Sequence, residues 1–224
     1  MSIRKKILAI SIGPVLVLGV ITLLFMLTMV KSSLMDEVQD ALKGTAAATL
    51  AAYDQNTGDY LESTNGDIWK GSYNISKSES LVDRIKENTG MDVTFFYGNK
   101  RIMTSALDKK GNRILGSEAG ERVVNQVIKG KKPFFSTNVS LDGTRNYGYF
   151  IPVYQNGTTD QVIGMVFVGT NKARKDAIVN KILGSIMMAL LVVMLLCIVT
   201  AMRMAASILS LIHISEPTRH LRIS

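Results

Sequence analysis

Two uncharged apolar runs constrain this chain more than anything else in it. Ile7–Val30 (ILAISIGPVLVLGVITLLFMLTMV) is 24 residues long and Ile182–Met202 (ILGSIMMALLVVMLLCIVTAM) is 21. At a rise of about 1.5 Å per residue, either run reaches across a hydrocarbon layer of about 30 Å. A helix satisfies its own backbone polar groups in such a layer, so both runs are predicted to be transmembrane helices. The first is too long for the apolar region of a cleaved signal peptide, which runs to about 15 residues, so it reads as an uncleaved anchor. Arg4, Lys5 and Lys6 precede it, while Asp36, Glu37 and Asp40 follow. Positive-inside bias then puts residues 1–6 in the cytoplasm and residues 31–181 outside, although Lys172, Arg174, Lys175 and Lys181 flank the second run on its outer side.

The segment between the runs is long enough to bury its own core. It carries 20 Lys/Arg and 17 Asp/Glu, interspersed along its length. That is a mixed, solvated surface, and it argues against nucleic acid as a partner. Cys197 lies inside the second apolar run, so no disulfide is available to the segment. Helical spacing of Leu34, Val38, Leu42, Ala46 and Leu50 predicts that the first membrane helix continues outward to Tyr53. Asn56–Asn74 is rich in turn residues and reads as loop. Ser78–Asn88 reads as a helix with Gly90 as its stop.

Beyond Gly90 the pattern turns to β. Asp92–Tyr97 and Arg101–Ser105 read as two strands around a Gly98-Asn99 turn, with Lys109–Asn112 a polar turn after them. Ser117 is a candidate N-cap for a helix through Val123, Val124, Val127 and Ile128. Lys131–Ser140, Arg145–Tyr154 and Gln161–Thr170 read as three more strands, joined at Asp142-Gly143 and Asn156-Gly157. Five strands on short turns make an antiparallel sheet, and with long helices at both ends the fold class is α+β.

Four motifs within Leu81–Gly169 carry a resemblance. They are TG-x-D-x-T-x-F (Thr89–Phe96), R-x-x-TS (Arg101–Ser105), the GS of Gly116 and Ser117, and V-x-G-x-x-F-V-G (Val162–Gly169). Together they resemble the single Cache domain of bacterial membrane sensors, above all methyl-accepting chemotaxis proteins. The resemblance implies a PAS-like sheet with a small-molecule ligand against it and no cofactor. It implies a homodimer in the bacterial plasma membrane, with the signal passing down the last helix to cytoplasmic chemotaxis proteins. A histidine kinase or a cyclic-nucleotide enzyme could carry the same sensor, and a non-signalling, membrane-anchored binding module is a further alternative.

Strand alternation puts Arg101, Met103 and Ser105 on one face, and Arg145, Tyr147, Tyr149 and Ile151 on one face of theirs. Lys131 and Lys132 open the strand between. Arg101, Ser105, Lys132, Arg145, Tyr147 and Tyr149 are therefore the candidate ligand-binding residues. A guanidinium, a hydroxyl and phenols on one concave face suit a carboxylate, which favours an organic acid, with amines and uncharged ligands as the alternatives. The bland reading makes Arg145 and the lysines surface charges and the tyrosines packing residues; Arg101 stands apart, because the family motif also carries a functional basic residue there.

Catalysis has little to work with, since both histidines, His213 and His220, lie in the last sixteen residues. Leu209–Arg219 (LSLIHISEPTR) is the translation of a transposase-type sequencing adaptor, and His220–Ser224 fits its index and continuation. Residues 209–224 are thus expected to be read-through, with the natural protein continuing past Ile208. Residues 203–208 (RMAASI) resemble the opening of a HAMP linker.

Overall fold

The first apolar run and the helical stretch after it form one helix. A computed structural model, which describes residues 3–156 and 158–215, has α1 over Ile3–Asp54 and α4 over Lys172–Ser215. Both are long and apolar enough to cross a membrane. The chain divides into two units, residues 1–34 with 178–224, and residues 35–177. In the first, Gly19 gives Met194 its room: a Cβ there would meet Met194 Sδ at 3.1 Å. Small residues let helix backbones approach closely in a membrane. The helix of α4 extends past Met202 and Ile208 to Ser215, where the sequence predicted no periodic structure. Residues 216–224 of the expected read-through, and Gly157 of the Asn156-Gly157 turn, lie outside the described residues.

The second unit is built on an antiparallel sheet of β4 (Asp92–Tyr97), β5 (Lys100–Thr104), β6 (Phe134–Leu141), β7 (Thr144–Tyr154) and β8 (Val162–Asn171), in the order β5-β4-β8-β7-β6. The α+β expectation holds. Alternation gives the inner strands two apolar faces. One face, with Val93, Phe95, Met103, Tyr147, Tyr149, Val166 and Val168, packs with Leu42, Ala46 and Tyr53 of α1. The other, with Phe96, Phe150, Met165 and Phe167, packs with Ala106, Val127 and Leu141. Gly164 allows β4 and β8 to close together, because any Cβ there would collide with the carbonyl of Phe96.

The stretch read as loop, Asn56–Asn74, holds a small three-stranded sheet: β1 (Tyr60–Glu62), β2 (Ile68–Lys70) and β3 (Tyr73–Asn74). Its buried residues, Tyr60, Ile68 and Lys70, are few, and strands of two or three residues give too short a period to see in sequence. The helix α2 (Glu79–Thr89) ends at Gly90, whose φ of 68° is the left-handed cap expected there.

Ser117 does not cap a helix. Residues 116–119 instead run beside β5, with Arg101 N–H donating to Ser117 O at 2.9 Å and Ala119 N–H to Asn99 O at 2.8 Å. The helix α3 begins at Glu121, after Gly120, and at Val123 gives way to a π-helical turn over Val124–Lys129.

Candidate functional site

A cavity of about 530 Å³ opens on the sheet face turned away from α1's buried residues. Its floor is the ring set Phe96, Phe150 and Phe167, continued by Phe134 of β6. Phe150 and Phe167 have centroids 4.7 Å apart, and Phe134 and Phe150 6.4 Å. Two glycines keep that floor low: a Cβ on Gly148 would come within 2.5 Å of Phe167 Cε2, and one on Gly169 would collide with the same ring. Side chains at either position would push the aromatic wall into the cavity. One side is formed by residues 135–140 of β6 and another by Glu118, Ala119, Gly120, Arg122 and Val123.

Arg101 reaches this cavity because β5 carries a bulge. Met103 pairs with Phe95 and Arg101 with Phe96, leaving Ile102 as the extra residue. A bulge of one residue reverses the face of everything beyond it. Arg101 therefore shares a face with Phe96, while Met103 lies on the opposite one; simple alternation had put them together. Arg101 is 8% exposed, its Cζ 5.3 Å from the centre of the Phe96 ring. Its Nη1 donates to Ile114 O at 3.3 Å, and its Nε, also buried, has no partner. Burial pulls its pKa down, which is the cost of a charge removed from water without a counter-ion.

The other five candidate residues do not line the cavity. Ser105 is buried; its Oγ accepts from Val93 N–H at 2.9 Å and donates to Asp92 Oδ1 at 3.2 Å. Lys132 is exposed, with its N–H on Gln126 O at 3.3 Å. Arg145 is exposed opposite Ser140, beside a recess shared with Asn171, Lys172 and Asp176. Tyr147 and Tyr149 share a face as alternation predicted, but it is the face packed on α1, opposite to the cavity. The structure thus separates Arg101 from the two phenols by the thickness of the sheet.

Sequence reasoning missed Phe96, Glu118, Arg122, Phe134, Phe150 and Phe167 as cavity residues. The alternation of β7 already held the signal, since Phe150 must face away from Tyr147 and Tyr149. Arg122 and Glu118 are both exposed at the mouth, and Arg122 Cζ sits 5.4 Å from the Phe134 ring centre. The chemistry on offer is an apolar aromatic wall, one buried guanidinium with an unused donor, and a cation and a carboxylate at the entrance. Among the described residues no three His, Cys, Asp or Glu gather as metal ligands would.

The segment leading to residues 118–120 at the cavity is anchored by one ion pair. Arg113 makes a two-pronged pair with Asp83 of α2, at 2.9 Å and 2.6 Å, and also donates to Thr104 O at 2.7 Å. The pair lowers the Asp83 pKa and raises that of Arg113, mainly through the hydrogen bonds between them.

Residues 73–182 match the family described as Single cache domain 3. No curated protein matches the chain in sequence. Among solved structures, an extracellular ligand-binding receptor from Desulfohalobium retbaense aligns at 14% identity and TM-score 0.47, over 67% of this chain and 26% of its own. The ligand-binding domain of the Campylobacter jejuni chemoreceptor Tlp3, in complex with L-valine, aligns at 11% identity and TM-score 0.49, over 76% of this chain and 66% of its own. The E. coli DcuS sensor domain aligns at 13% identity and TM-score 0.38, over 68% and 98%. The chain therefore spans about a quarter of the first of these proteins and two thirds of the second.

Proposed function

We propose that the single Cache domain of this chain is the sensor of a bacterial chemoreceptor, binding a small organic acid outside the plasma membrane in the cavity over Phe96, Phe150 and Phe167. The observation that carries this reading is Arg101: a buried guanidinium at a cavity wall, with Nε bonded to nothing. A buried polar group without a partner costs free energy, and a carboxylate ligand would supply the partner it lacks. The aromatic wall supplies the apolar surface against which the body of such an acid is held. Of the six residues singled out in the sequence, Arg101 keeps the ligand-binding role in this reading.

Transmission belongs to the same proposal. The sensor acts as a homodimer, and ligand binding alters α4, whose apolar part is the second membrane helix; cytoplasmic chemotaxis proteins read the change. A ligand can do this only through different affinities for two states of the receptor. A sensor kinase or cyclase would share the ligand site and differ in output.

The test is calorimetry on the full chain in lipid nanodiscs, titrated with carboxylates and with their uncharged amides. The reading expects a carboxylate to bind, its amide to bind far more weakly, and Arg101→Ala to weaken the acid by about 1.5–3 kcal/mol. Equal affinity for acid and amide, or for wild type and Arg101→Ala, would remove Arg101 from the site.

A further inference from the structure

The cavity wall made by β6 is also the strand that holds the first turn of α4. β6 is an edge strand, paired on one side only with β7, and its register shifts between Ser136 and Val139. That irregularity leaves Thr137 and Asn138 outside the ladder, and both line the cavity. The freed carbonyl of Thr137 accepts a hydrogen bond at 3.2 Å from Nζ of Lys172, the first residue of α4. The same ammonium lies 4.5 Å from the centre of the Tyr147 ring.

Tyr147 supplies the second attachment. Its hydroxyl donates to Asp176 Oδ1 at 2.5 Å, one helical turn beyond Lys172. Its ring is buried and lies parallel to Phe135 of β6, at 6.4 Å and 10°, on the face opposite the cavity, while residues 134–140 of the same strand border the cavity. Burial and the neighbouring Asp176 push the Tyr147 phenol up to about 12, so it remains a donor throughout the ordinary pH range.

The position of β8 makes these contacts consequential. Although β8 leads directly into α4, it is paired with β7 to Asn171 and on both sides, with β4 and β7, over Gly164–Gly169. A central strand so held is the least able to move. Both edge strands are bulged, but β5 is covered by residues 116–119, so β6 is the part of the cavity wall that yields most easily. An occupant pressing on residues 135–140 would displace β6 before β8.

We propose that Tyr147, Lys172 and Asp176 are positioning residues that join this edge strand to α4, so that occupation of the cavity is felt in the first turn of α4 through β6. This rests on the cavity being the ligand site, but the coupling between β6 and α4 can be measured without a ligand.

The experiment is hydrogen exchange on the full chain in nanodiscs, comparing wild type with Tyr147→Phe, which removes only the hydroxyl, and Asp176→Asn. Both variants should raise exchange across residues 137–140 of β6 about tenfold, the effect expected for loss of a charge-assisted hydrogen bond. The double variant should add little to either single one. With the carboxylate that binds most tightly in the calorimetric panel, wild type should show altered exchange at residues 172–177 and the variants a reduced response. Were the bonds only a local support for α4, the variants would raise exchange at residues 172–177 and leave residues 137–140 unchanged; that result overturns the proposal. If no carboxylate binds wild type, the ligand reading falls, and the ligand-free comparison still decides whether β6 and α4 are coupled. Tyr147→Leu, which also removes the ring from Phe135, should exceed Tyr147→Phe in its effect on β6, and an equal effect would remove the stacked pair from the path.

Discussion

Arg101 is held at a cost to the unliganded protein, and the size of that cost can be worked from its surroundings. Its buried Nε is unpaired, a penalty of about 1–3 kcal/mol for a desolvated donor. Against this stand a single hydrogen bond from Nη1 to Ile114 O at 3.3 Å, worth about 0.5–1 kcal/mol, and the guanidinium over Phe96 at 5.3 Å, worth about 0.5–1 kcal/mol. Methionine at this position keeps an unbranched apolar stem, without the donors. Arg101→Met should therefore leave the ligand-free protein between about 1 kcal/mol less stable and about 2 kcal/mol more stable, with Tm falling by no more than about 4 °C. The same substitution should weaken carboxylate binding by about 1.5–3 kcal/mol, as Arg101→Ala does. Thermal unfolding of the full chain in detergent, followed by circular dichroism without added ligand, reads the first effect. A fall in Tm of more than about 4 °C would mean that Arg101 holds the fold together, and the argument for a donor awaiting a ligand would fail.

Gly164→Ala should destabilise by about 3 kcal/mol, the upper end for overpacking, because the obstacle is the Phe96 carbonyl and cannot rotate away; a Tm within 2 °C of wild type, about the shift that 1 kcal/mol gives, would contradict the close approach of β4 and β8. Asp83 has its folded pKa lowered by Arg113, so its contribution is present above the unfolded carboxyl value of about 4 and is lost as pH falls through the lower folded value. Asp83→Asn should accordingly flatten the dependence of Tm on pH in that acid window, and an unchanged slope would remove the pair from the account; solvent exposure of Asp83 keeps the effect modest. A topology reporter fused at Thr89 should show an external location, and cytoplasmic activity there would reverse the proposed orientation.

The large features were legible because each rests on a long signal. Two uncharged runs mark the two long apolar helices, and the spacing of Leu42 and Ala46 correctly marks the buried side of α1. Alternation placed Tyr147 and Tyr149 together, and the strands from Asp92 to Thr170 lie within a residue or a few of where the pattern put them. Arg101 shows where the reading stops. One extra residue at Ile102 reverses its face, and no residue type near it announces a bulge. Ser117 looks like a cap, yet pairing beside β5 satisfies its backbone instead, a tertiary choice that local propensity does not contain. The cavity itself depends on Gly148 and Gly169 lying under one phenylalanine, a juxtaposition of two strands that a single sequence does not display.

The most direct test of the central claim is a crystal structure of this chain with a bound organic acid. The account predicts a carboxylate within hydrogen-bonding distance of the Arg101 guanidinium, Nε included, and the body of the acid against Phe134, Phe150 and Phe167. An acid found instead in the recess beside Arg145 and Lys172, or among Tyr147 and Tyr149 on the opposite face of the sheet, would contradict it.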